Sequence, residues 1–220
     1  MADRPILFSA PMVRALLAGT KTQTRRVVKP QPPPEFVAYN AGHASTLHVP
    51  SGRVSFCWSL GRSDSSQRFW PGMHERVFCP YGQPGDRLWV RETWSHDATD
   101  LEACRAAHED VMAGLSYGPY YRATEEAPET LRWRSSIHMP RWASRITLEI
   151  TKVRVERLQE INRGDAMAEG CPFANMADGL DPRAWYSGLW EEINGAGSWD
   201  ANPWVWVMGF RRVEQEARKL

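Results

Sequence analysis

The stretch PMVRALLAGTKTQTRRVVK, residues 11–29, changes character half-way along. PMVRALLAG reads as a short helix, with Pro11 near its start, where a missing N–H costs nothing, and Gly19 as its C-terminal stop. TKTQTRRVVK is rich in β-branched residues and strand-like at its end. A helix hands over to a strand near Lys21, which requires a tight turn. Working outward, PILF at 5–8 reads as a short strand. In RLWVRETW at 87–94, Leu88, Val90, Glu92 and Trp94 share one face and Trp89, Arg91 and Thr93 the other, so Glu92 or Arg91 must point at a largely apolar layer. YYRAT at 120–124 reads as a strand. RITLEITKVRVERL at 145–158 is the longest strand-like run, bent or paired with itself near Thr151. A short helix ending at Gly170, a helix opened by Asp181 and Pro182 and running to about Ile193, and a closing strand PWVWVMGFRRV follow. Strands dominate, and the short helices do not alternate with them as in a parallel βαβ sheet. The expected fold is α+β, a small β-barrel or strongly bent sheet surrounded by short helices.

Two stretches interrupt this pattern. The Pro-rich PQPPP at 30–34 leads into an insertion at about 32–78 whose alternating runs TLHV and RVSFCWSL suggest a hairpin or lid. A second insertion at about 97–130 holds the polar helix DLEACRAAHEDVMAG, residues 100–114, with Asp100 as N-cap and Gly114 as stop. With no internal repeat, residues 1–220 are expected to form a single domain.

Composition narrows the function classes. With 42% hydrophobic and 24% charged residues the chain can bury a core, which excludes intrinsic disorder. No apolar run approaches the roughly 20 residues that cross a bilayer, and MADRPILFSAPMVR has no secretory cleavage pattern, so a cytoplasmic protein without membrane contact is expected. A net charge of +1 argues against sequence-blind binding of polyanions, although a local basic groove stays open. Cys57, Cys79, Cys104 and Cys171 are widely spaced and the histidines form no ligand cluster, so neither a disulfide framework nor a metal site is expected, and no cofactor is called for. The 11 tryptophans serve either a core or stacking on a base; Trp199, Trp204 and Trp206 read as core. Only Lys21, Lys29, Lys152 and Lys219 among the 27 basic residues are lysine, and only lysine can lose its proton at accessible pH.

The segment Gly19-Thr20-Lys21-Thr22-Gln23-Thr24-Arg25-Arg26 matches a G-x-K-x-x-T-x-R pattern. With it the chain resembles the ASCH domain family, a branch of the PUA-like superfamily of small RNA-associated β-barrels. The longer bacterial and phage-type members are similar in PILFS, in a GDRLWVRETW-like strand, in HMPRWASRITL and in a closing WDANPWVWV, blocks spread over most of the chain outside the insertions. The resemblance implies a PUA-like barrel with a ligand cleft. Some bacterial members are N4-acetylcytidine amidohydrolases, which remove the acyl group from the exocyclic nitrogen of cytosine with a Lys, a Thr and a Glu. The first two fall on Lys21 and Thr24; the third best matches Glu169 in DAMAEG.

The chemistry those residues could supply is coherent. Amide hydrolysis needs a nucleophile, a base to take its proton and an acid for the leaving nitrogen. Thr24 can be the nucleophile and a neutral Lys21 its base, the amine being neutral only in a dry site or beside a cation such as Arg25 or Arg26. Glu169 would orient Lys21 or activate water, and Arg26 or backbone N–H groups would face the oxyanion. One geometric condition applies: residues three apart in a strand point to opposite faces, so Lys21 and Thr24 meet only if the chain turns between them, for which the Gly19 helix stop supplies a place; a chain already extended at Lys21 would break the dyad. The ordinary alternative is a helix C-terminal cation followed by a strand of solvated arginines, with Glu169 on a solvated helix face.

For recognition, Trp94 and Trp142 are candidates to stack on a cytosine, with Arg91, Glu92 and Arg145 at its edge. Arg141, with His138, lies in a Pro-interrupted loop suited to binding. The expected partner is a small-molecule nucleoside. Two alternatives compete: an RNA-binding module in which Lys21, Arg25 and Arg26 grip phosphate, and an ASCH-type ribonuclease.

Overall fold

The computed structural model describes residues 2–31, 46–48, 54–59, 74–96, 119–125, 132–173 and 181–213. In chain order its elements are β1 (Asp3–Leu7), α1 (Ala10–Leu17), β2 (Gln23–Val27), β3 (Thr46–His48), β4 (Val54–Ser59), β5 (His74–Phe78), β6 (Arg87–Arg91), β7 (Trp94–Ser95), β8 (Tyr120–Tyr121), β9 (Thr147–Arg157), α2 (Arg163–Ala168), α3 (Pro182–Asn194) and β10 (Trp204–Val213). Single 3-10 turns lie at Ser136–His138, Arg141–Ala143 and Leu158–Glu160. The mixture is α+β, mostly sheet with few helices. The chain divides into two compact units, one of Met1–Gly19, Arg87–Glu149 and Arg212–Leu220, the other of Thr20–Asp86 and Ile150–Arg211.

In the first unit β1 pairs with β6 in parallel, from Asp3 opposite Arg87 to Leu7 opposite Arg91. The start of β9 pairs antiparallel with β6, Leu88 facing Leu148. Helix α1 begins with Pro11 in its first turn, buries Met12, Val13 and Leu16, and is followed by Gly19 at φ +75, a left-handed conformation that glycine adopts without a Cβ clash. The turn from helix to strand therefore lies at Gly19. Trp94, Tyr121, Met139 and Ala143 form a buried cluster edged by Trp142. The strand expected over 120–124 is shorter, because Thr124 N–H already bonds back to the Tyr121 carbonyl and closes a turn.

In the second unit the order is β9-β10-β2, with β10 antiparallel to β2 from Val205 opposite Val27 to Gly209 opposite Gln23. Strand β10 is buried without interruption from Trp204 to Met208, which is why its sequence is a continuous apolar run rather than an alternation. Leu158, Ile161, Ala166, Tyr186, Trp190, Val205 and Val207 make the core here, with Trp185, Leu189 and Trp199 packed against it. Strand β9 runs unbroken for 11 residues instead of folding back on itself near Thr151.

Among the described residues neither strand order closes on itself, so of the expected small barrel or strongly bent sheet a closed barrel is not formed. In the first insertion the described segments form a three-stranded antiparallel sheet, β3-β4-β5, in keeping with a hairpin. The helix expected over 100–114, and most of both insertions, lie outside the described residues. Among the described residues no helix is long and apolar enough to cross a membrane, and no group of three His, Cys, Asp or Glu side chains could hold a metal ion.

Candidate active site

Past Gly19 the chain runs straight into extended backbone. Lys21 forms an isolated antiparallel bridge with Glu169, Thr22 N–H donates to the Ala168 carbonyl at 2.8 Å, and the Thr22 carbonyl accepts from Phe210 N–H at 2.9 Å. Thr22 thus ties the end of α2 to β10. Helix α2 is set at its start by Asn162, whose side chain accepts from Asp165 N–H, and is stopped by Gly170 at φ +96. Glu169 is its C-cap, and Lys21 Nζ donates both to the Glu169 carbonyl and to Glu169 Oε2, each at 2.8 Å. The lysine is a C-terminal cation, as the ordinary alternative supposed, but it serves α2 rather than α1. Lys21 and Glu169 are each 2% exposed, and Thr24 and Arg25 1%.

Arg25 occupies the other oxygen of the carboxylate, Nη1 lying 3.1 Å from Glu169 Oε1. Its Nη2 donates to Glu156 Oε1 and to Asp165 Oδ2, and its Nε to Glu156 Oε1. Arg154 closes the outer side, with Nε 2.9 Å from Glu156 Oε2 and Nη2 2.8 Å from Asp165 Oδ2. Gln23 bridges Arg154 and Asp165. Three carboxylates, Glu156, Asp165 and Glu169, are thereby matched by three cations, Lys21, Arg25 and Arg154. Such matching is what allows charge to stay buried.

Burial lowers the proton affinity of Lys21; the Glu169 carboxylate opposes that shift, and Arg26 and Arg25 add to it. For Arg25 burial is outweighed by Glu169 and Glu156, so its charge is reinforced. The Asp165 carboxyl is held below its ordinary range because Arg154 and Arg25 outweigh its partial burial. Tyr186, from α3, is pushed well above the usual phenol value by burial and then by the negative charge of Glu169.

The candidates from sequence fall into two groups. Lys21, Thr24, Glu169 and Arg26 lie in the second unit, and Lys21 and Glu169 are in direct contact although 148 residues apart in sequence. Lys21, Gln23 and Arg25 all reach side chains of α2, and strand alternation puts Thr24 on the other face of β2, opposite Met208. The turn lies ahead of both residues, at Gly19, and the chain is already extended at Lys21, so the turn required between Lys21 and Thr24 is absent and the two side chains are not brought together. Arg26 is half-buried, and its Nη1 donates to the Arg25 carbonyl.

Arg91, Glu92, Trp94, Arg141, Trp142 and Arg145 lie in the first unit. It is Glu92 that points inward, and Arg145 clasps it with two bonds of 2.9 Å while lying over the Tyr121 ring at 3.9 Å. Trp94 is fully buried, with Trp142 edge-on at 5.9 Å. Arg91 donates to the Met139 carbonyl and lies over Trp89. Arg141 is exposed and bound to Asp3, and His138 is exposed. Buried in this way, Glu92 and Trp94 are core groups of their unit.

Sequence reasoning missed Arg154, Glu156, Asp165 and Tyr186. Two signals were there: Arg154 and Glu156 alternate with the buried Val153 and Val155, and Asp165 stands four residues before Glu169, on the same helix face.

Comparison of the chain with protein-family models, with curated proteins and with solved structures found no match.

Proposed function

We propose that the second unit is the catalytic part of an amidohydrolase of the ASCH type, with a PUA-like architecture, that removes the acyl group from N4-acetylcytidine and related N4-acylated cytosine nucleosides. The observation that carries this reading is the buried contact of Lys21 Nζ with the backbone carbonyl and the Oε2 of Glu169. A protonated amine has three N–H donors and a neutral one has two plus a lone pair. After losing a proton, Lys21 can keep both bonds to Glu169 and still accept a proton.

In the proposed reaction Thr24 Oγ1 attacks the acyl carbon and its proton passes to Lys21 Nζ. Thr24 lies on the other face of β2 from Lys21 and both are buried, so this step requires substrate binding to bring Thr24 Oγ1 and Lys21 Nζ within reach of each other, directly or through one water. The carbonyl electrons move to oxygen, where Arg26 stabilises the charge. The C–N4 bond breaks as Lys21 returns the proton to N4, cytidine leaves, and an acyl ester on Thr24 remains. Water then attacks the ester and gives a proton to Lys21, which returns it to Thr24 Oγ1 as the carboxylic acid departs. Glu169 holds Lys21 throughout. No metal or cofactor enters the scheme.

The pairing of Lys21 and Arg25 with carboxylates weighs against a role for them in gripping an RNA backbone. Incubating the wild type, Lys21→Ala and Thr24→Ala with N4-acetylcytidine, and following cytidine by absorbance and chromatography, tests the reading. Turnover lost in both variants with unchanged circular dichroism is expected. Absence of turnover by the wild type on this and longer N4-acyl cytidines would overturn it.

A further inference from the structure

The G-x-K-x-x-T-x-R pattern passes over Arg25, yet its side chain reaches three carboxylates of the second unit. Its guanidinium touches Glu156 on β9 and both Asp165 and Glu169 on α2, and it is 1% exposed. A guanidinium is a rigid planar fork with five donors, whereas an ammonium is a point charge on a flexible stem. The fork reaches the three carboxylates with Nε, Nη1 and Nη2 from one fixed orientation. The outer two, Glu156 and Asp165, are in turn held by Arg154, so Arg25 has a fixed seat.

We propose that Arg25 is a positioning residue: it takes Glu169 Oε1 as its own and so leaves Lys21 a single carboxylate oxygen, Oε2, in a fixed place.

The consequence concerns the proton on Lys21. A carboxylate that served Lys21 alone would hold the ammonium form tightly, and the lysine would be a poor base at neutral pH. Shared with Arg25, the same carboxylate holds that proton less strongly, and the positive charges of Arg25 and Arg26 oppose it directly. The groups around the pair are Arg25 and Arg26 from β2, Arg154 and Glu156 from β9, Asp165 and Glu169 from α2, and Tyr186 from α3. Of these, Arg25 donates to the carboxylate oxygen that Lys21 does not use. This role rests on the hydrolase reading for its purpose, but not for its measurement.

With only four lysines in the chain, protein labelled with 13C at lysine Cε gives a titration in which Lys21 is assigned by loss of its signal in Lys21→Met. In Arg25→Gln the Lys21 midpoint is expected to move up by about one pH unit or more, the size that a neighbouring charge produces. The acidic limb of kcat/KM on N4-acetylcytidine should move with it. Arg25→Lys keeps the charge and loses the fork, so its midpoint should move the same way by less. A folded Arg25→Gln with an unmoved midpoint overturns the proposal. If Arg25→Gln does not fold, Glu156→Gln carries the test: Arg25 then gives more of its charge to Glu169, the Lys21 midpoint should fall, and an unmoved midpoint again overturns the proposal. Shifted midpoints in a protein that hydrolyses no N4-acyl cytidine would uphold the role of Arg25 and sink the hydrolase reading instead.

Discussion

Lys21 Nζ lies 2.8 Å from both the backbone carbonyl and the Oε2 of Glu169, and neither side chain is more than 1% exposed. One residue of α2 thus supplies the amine with a helix-terminal carbonyl and a carboxylate at once.

Breaking this pair should be costly in two ways. Lys21→Met is expected to lower kcat by roughly 10²–10⁴-fold, the usual worth of a positioned base. It should also destabilise the protein by about 3 kcal/mol, because the Glu169 carboxylate stays buried with one cation fewer. Adding Glu169→Leu should restore much of that stability and none of the activity. Urea unfolding and initial rates, read on the two variants, check both halves.

Thr24 is the weaker member of the proposed set, because it sits across the strand from α2. If it is the nucleophile, Thr24→Ser should retain measurable turnover of N4-acetylcytidine and Thr24→Ala should retain none. Mass spectrometry of wild type quenched during turnover should show one added acetyl group, absent in Thr24→Ala. Equal activity of wild type and Thr24→Ala would assign the attack to water.

The clasp of Arg145 on Glu92 should behave as a structural pair of the first unit. Glu92 is nearly fully buried and Arg145 only partly, so Arg145→Met should cost about 3 kcal/mol by leaving the carboxylate unpaired, whereas Glu92→Met together with Arg145→Met should cost much less. A urea double-mutant cycle reads the difference, and equal costs would contradict it.

Stability should depend on pH at both extremes, with opposite causes. Asp165 titrates below its ordinary value in the folded protein, so its contribution is in place above the unfolded value of about 3.9 and is lost as pH falls through the folded one. Tyr186 titrates above its ordinary value, so the folded state keeps a proton that the unfolded chain sheds above about pH 10, and stability falls as pH rises beyond that point. Urea midpoints across pH should show Asp165→Asn flattening the acid limb and Tyr186→Phe the alkaline one. Unchanged slopes in these variants would assign the pH dependence to other groups.

Much of this protein is local in origin and was legible in its sequence. Pro11 and Gly19 bound α1, Asp181 and Pro182 open α3, and the apolar run from Trp204 to Met208 is a doubly buried strand, because capping, turn chemistry and periodicity act over a few residues. The choice of Lys21 and Glu169 came from the ASCH-like motif and a six-residue block. Their contact could not be read from periodicity, since the two are 148 residues apart. Tertiary structure alone decided that Glu169 faces inward rather than to solvent, that the turn falls before Lys21 rather than after it, and that Arg25 joins three carboxylates from two elements. Those outcomes depend on which charges are buried together, and a buried charge is placed by partners brought from distant parts of the chain.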